Sequence, residues 1–108
     1  WRNSNDYQAY WQIVKDRAQA PALIANCMRN IIEYFLILSK SLISIRSFKT
    51  RITDIRFLAF NRYMNRESHS KGQNIFDIKE FDYDSFRDCI QLVFEIEGYP
   101  EHYQKMMK

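Results

Sequence analysis

Pro21-Ala22-Leu23-Ile24-Ala25-Asn26-Cys27-Met28-Arg29-Asn30-Ile31-Ile32-Glu33-Tyr34-Phe35-Leu36-Ile37-Leu38 is the stretch that decides the fold. Ile24, Met28, Ile31, Phe35 and Leu38 step by alternating fours and threes, and Leu42 and Ile45 continue the series. That period belongs to a helix and forms a heptad-like seam. Leu23, Ile32, Leu36 and Ile37 widen the seam, so the helix faces neighbours on more than one side. A two-stranded coiled coil keeps its stripe narrow, whereas a wide stripe suits the central helix of a bundle. Positions 31–38 carry Glu33 and run into Ser39-Lys40, too short and too polar a run to span a bilayer. Pro21 fits the first position of the helix, where its missing N–H costs nothing.

Outward from this stretch, helical periods recur. Ser4-Asn5-Asp6 offers oxygens for an N-cap. Tyr7, Tyr10, Trp11, Val14 and Ala18 then line one face, predicting a first helix that ends at Ala20-Pro21, because the residue before proline avoids the helical region. These aromatics read as core rather than as a base-stacking platform, since they recur on one side at the helical period. Positions 39–48 are rich in serine and β-branched residues and predict a kink or short connection. A third helix is expected over roughly 50–66. Ile52, Ile55, Leu58 and Ala59 form its face, Phe57, Phe60 and Met64 extend it, and Arg51, Asp54, Asn61 and Arg62 mark wetter directions.

Positions 68–80 are the one long polar loop, with turn chemistry at Ser70-Lys71-Gly72-Gln73-Asn74 and Ile75, Phe76, Ile78 and Phe81 tacking it to the bundle. Asp82 or Asp84 caps a fourth helix with Phe86, Ile90, Val93 and Phe94 buried, and Gly98 suits the left-handed residue after its end. Pro100 opens a short last helix through Tyr103 to Met107, whose end is expected to fray. The expected fold is all-α: one irregular bundle of four to five helices.

Composition agrees with that build and excludes several functions. The chain has 108 residues, 46% of them hydrophobic, with only two glycines and two prolines. That suffices for one modest core. The net charge of +3 is spread along the chain without a block of like charges, and gives no electrostatic footprint for nucleic acid. Cys27 and Cys89 lie far apart inside apolar patterns, which suits two buried thiols in a reducing cytoplasm and makes no zinc site. Nothing in the sequence reads as a Gly-rich phosphate loop, a set of paired metal ligands or a repeat.

Chemistry concentrates at Asn65-Arg66-Glu67-Ser68-His69-Ser70, with Arg62 one turn before Arg66. Residues three and four apart share a helix face, so Arg62, Asn65 and His69 fall on one side if the helix persists that far. An imidazole that moves a proton beside a guanidinium that steadies phosphate charge is a workable phosphodiester-cleaving pair. Arg62, six residues and His69 also fit the loose ribonuclease signature of the helical HEPN (higher eukaryotes and prokaryotes nucleotide-binding) domains. The structural alternative is that Asn65, Ser68 and Ser70 cap a helix end, His69 meets the negative pole of the helix, and Glu67 pairs with a neighbouring Lys or Arg. His102, between Glu101 and Lys105 on the last helix, reads as a surface residue.

The order of segments carries a resemblance. Asn5-Asp6-Tyr7-Gln8-Ala9-Tyr10-Trp11, then 26–35, then Asn65-Arg66-Glu67-Ser68-His69-Ser70 and a closing amphipathic helix resemble the C-terminal helical region of bacterial ABC/SMC-type defence ATPases. That group includes the PtuA ATPases of Septu and retron-associated anti-phage systems and the ATPase part of anticodon nucleases. The resemblance implies a longer polypeptide, cytoplasmic and without a membrane anchor, whose head binds ATP and Mg²⁺ outside this chain. It implies self-association through those heads, an HNH-type nuclease subunit as partner and, in retron versions, a reverse transcriptase with its DNA product. The phosphate loop, Walker B and signature segments are not in this sequence, so no ATP-contacting residue carries over. On that basis the chain, which starts at Trp1, is expected to be a scaffold piece of a larger protein.

Overall fold

The computed structural model describes residues 4–38, 55–64 and 81–108. Among them are five helices and no strand: α1 (Ser4–Val14), α2 (Pro21–Leu38), α3 (Ile55–Met64), α4 (Tyr83–Ile96) and α5 (Pro100–Met106). The all-α expectation holds. The expected loop at 68–80 and the connection at 39–48 lie outside the described residues.

α2 forms where its period predicts. Ile24, Met28, Ile31 and Phe35 are all buried, and Ala25, Cys27 and Ile32 broaden the buried face. α1 lays Tyr7, Trp11 and Val14 against it. Tyr7, near the start of α1, stacks on Tyr34, near the end of α2, so the two helices run antiparallel as a hairpin. α4 packs against α2, α3 and α5 and inserts Phe86, Cys89, Ile90, Val93 and Phe94 into the core. Each such fully buried apolar side chain stabilises the fold by about 1.5–3 kcal/mol, whereas an exposed ion pair contributes at most about 1 kcal/mol. The packed face of each helix therefore sets the architecture.

Two expectations are corrected. α1 ends at Val14, not at Ala20. Asp16 breaks it: one carboxylate oxygen accepts from the Ala18 N–H at 3.0 Å and the other from the Gln19 side chain at 3.3 Å. A short carboxylate that satisfies backbone N–H groups locally competes with the helix. Ala18 is consequently exposed rather than on the inward stripe. Leu23, expected to widen the seam of α2, is 41% exposed one turn from the helix start. Leu36 and Ile37 fall where side chains are not described.

The helix ends follow local chemistry. Asp82 is the N-cap of α4 and accepts from the Ser85 N–H at 3.0 Å, which holds its carboxyl below the usual range. At the other end Gly98, at φ +88°, closes α4: the Tyr99 N–H reaches the Phe94 carbonyl at 2.8 Å and the Gly98 N–H the Glu95 carbonyl at 3.1 Å. These two bonds make a Schellman turn, which needs the left-handed residue that glycine supplies. Pro100 then starts α5. At the far end of α5 the Lys15 ammonium donates to the Lys108 carbonyl at 2.8 Å, in an exposed hydrogen bond.

Candidate functional site

Of the polar cluster singled out in the sequence, the structure places Arg62, exposed in the last turn of α3. Asn65, Arg66, Glu67, Ser68, His69 and Ser70 lie outside the described residues. The polar centre that the described residues do assemble is elsewhere, where α5 crosses α1 and α2.

The Schellman turn at Gly98 sends the chain back across the hairpin, and His102, the third residue of α5, meets α1. Its Nε2 lies 2.6 Å from the Tyr7 hydroxyl. The imidazole is half-buried among rings. Tyr7 and Phe35 lie nearly parallel to it, each at 19°, with centroids at 5.8 and 6.2 Å. Phe94 is at 5.6 Å and Trp11 at 6.4 Å. Tyr34 stacks on the Tyr7 ring at 4.5 Å. The sequence expectation of a surface His102 is thus corrected: its contact with Tyr7 spans 95 positions, and no local period encodes it.

Burial sets the protonation of the pair. It pushes the Tyr7 phenol up to about 12, so the hydroxyl keeps its proton. The Trp11 N–H pulls slightly the other way, although Trp11 Nε1, itself buried, reaches no hydrogen-bond acceptor among the described residues. Burial pushes the His102 imidazole below its ordinary value, and the Lys105 charge adds to the effect. Near neutral pH both groups are uncharged; a phenol is the stronger donor of the two and a bare imidazole nitrogen the stronger acceptor, so we assign the phenol as donor, Nε2 as acceptor and the ring proton to Nδ1. An imidazole whose free lone pair already holds a phenol proton is a poor base for a substrate. The arrangement joins helices.

Other tyrosines do the same. The Tyr63 hydroxyl donates to Asn26 Oδ1 at 2.5 Å, tying α3 to α2. The Tyr83 hydroxyl donates to the Val14 carbonyl at 2.7 Å, tying α4 to the end of α1. Arg17 lies over the Tyr83 ring at 4.7 Å and bonds Asp84 at 2.7 Å. Cys27 and Cys89 are buried and form no disulfide, and burial raises the Cys27 thiol. Sequence reading missed Tyr63. Its signal was the spacing Phe60, Tyr63, Met64, all three buried. Among the described residues no three His, Cys, Asp or Glu side chains converge on a metal-sized site, and no helix is long and apolar enough to cross a membrane.

Compared with known proteins, the chain matches no family model, and no curated protein and no solved structure matches it significantly.

Proposed function

We propose that this chain is a helical scaffold and interaction region, the C-terminal part of an ABC/SMC-type ATPase in a cytoplasmic anti-phage defence complex. One observation carries the scaffold reading: the phenols of Tyr7, Tyr63 and Tyr83 are each spent joining one helix to another element of the bundle. The ATPase context rests on the resemblance of the quoted segments. ATP and Mg²⁺ would bind a head outside this chain. The bundle would dock that head, a second protomer or an HNH-type nuclease subunit, with a reverse transcriptase and its DNA joining in a retron system.

The test uses the full polypeptide with its partners. Among the described residues Leu23 and Tyr99 are the large apolar side chains left exposed, at 41% and 47%. Leu23→Glu and Tyr99→Glu should leave the helical circular dichroism intact, reduce the assembled species on sizing and lower protection against phage. Full assembly and full protection in both variants would sink the reading.

A ribonuclease of HEPN type is the second reading, kept because Arg62 is exposed at the end of α3. Metal-free cleavage of tRNA that His69→Ala abolishes would replace the scaffold reading with that one.

A further inference from the structure

α5 is a seven-residue helix with one fully buried side chain, Tyr103, whose hydroxyl reaches the Arg87 carbonyl only at 3.5 Å. It covers side chains buried more deeply than its own. Trp11 and Phe94 lie beneath it, 1% and 0% exposed, with Phe35 beside them. The side-chain hydrogen bonds that tie α5 and its last residues to the α1 region include the exposed Lys15 to Lys108 bond and the half-buried Tyr7 to His102 bond.

We propose that α5 is a pH-responsive latch: protonation of His102 breaks the Tyr7 O–H to Nε2 bond and loosens α5 over Trp11, Phe35 and Phe94. Protonated imidazole donates at both nitrogens, so the phenol O–H loses its acceptor and the pair holds only with the phenol oxygen accepting instead. Tyr7 must then turn its buried O–H away, and a cation sits among aromatic rings. The groups that face His102 are Tyr7 and Trp11 from α1, Phe35 from α2 and Phe94 from α4. Lys105 on α5 is the charged group among the described residues that acts on it, and it repels the added charge. The ring faces of Tyr7 and Phe35 attract an imidazolium partly, which makes the release graded rather than a collapse of the core. Because burial lowers the folded imidazole below its ordinary 6.5, the latch is complete above that value and weakens as pH falls from there through the lowered one.

The measurement is hydrogen exchange of the intact chain, with Trp1→Phe so that Trp11 alone reports by fluorescence. Between about pH 8 and about pH 5.5, protection of 100–107, corrected for the intrinsic rate, should fall about tenfold while 83–96 keeps its protection. Trp11 emission should move to the red with the same midpoint. His102→Gln should flatten both responses, and His69→Gln should leave them unchanged. Lys105→Gln removes the charge of an exposed side chain, and should move the midpoint to higher pH. Three results overturn the latch: pH-independent protection of α5, a pH response that survives His102→Gln, or loss of protection in α4 in step with α5. If His102→Gln does not fold, the midpoint of Lys105→Gln decides, and an unmoved midpoint overturns the proposal.

Discussion

Two tyrosines close the two sides of this bundle with nearly the same geometry. Tyr7 joins α1 to α5 through His102 at 2.6 Å, and Tyr63 joins α3 to α2 through Asn26 at 2.5 Å. The acceptors differ in kind. A carboxamide has no proton to gain in the physiological range, whereas an imidazole does. The α3 tie is therefore permanent and the α5 tie conditional. The contrast shows that response to pH is set by one acceptor atom and not by the strength or shape of the contact.

The largest expected effects come from removing the core beneath each tie. Trp11→Ala and Phe60→Ala should each cost about 3–5 kcal/mol, read from the midpoint of urea unfolding. Trp11 packs against Tyr7, Phe94, His102 and Tyr103, and Phe60 against Phe86. Trp11→Ala should also erase the pH dependence of α5 protection, and Phe60→Ala should keep it. A flat response in Phe60→Ala would show that the two sides are one cooperative unit.

Gly98→Ala comes next. Nothing lies within 4 Å of the added Cβ, so no clash opposes it, and the cost is that of a left-handed φ of +88°. That amounts to about 1–2 kcal/mol for a residue with a Cβ. The loss should fall on α5, because the Schellman turn aims that helix, while exchange in α3 stays as it was.

What the sequence made legible is what neighbours in the chain decide. The seam Ile24, Met28, Ile31, Phe35, the cap at Asp82 and the turn at Gly98 are each encoded within a few residues, and each was readable in advance. The end of α1 is misread from the sequence, because Pro21, seven residues past that end, outweighs the quieter carboxylate of Asp16. His102 was misread for a different reason. A half-polar ring beside Glu101 and Lys105 looks solvent-facing until the fold brings Tyr7 to it across 95 positions. At the candidate cluster, the expected wet direction of Arg62 agrees with its exposure, and Asn65 to Ser70 lie outside the described residues.

The smallest effect sharpens the contrast most. Tyr63→Phe and Tyr7→Phe each delete one hydroxyl and no packing, so each should cost about 0.5–1.5 kcal/mol at about pH 8. The Tyr63→Phe penalty should stay constant as the solution is acidified, since Asn26 does not titrate. The Tyr7→Phe penalty should shrink. In the parent chain the O–H to Nε2 bond exists only while His102 is neutral, and burial keeps the folded imidazole below its ordinary 6.5. Stability from that bond is present above the ordinary value and is lost as pH falls through the lowered one. In acid the parent has already lost what the variant lacks, and the two unfolding midpoints should converge. Parallel midpoints for Tyr7→Phe across the range would mean that the Tyr7 hydroxyl serves its neighbours equally well with a charged ring beside it, and the conditional character assigned to this side of the bundle would have no physical source.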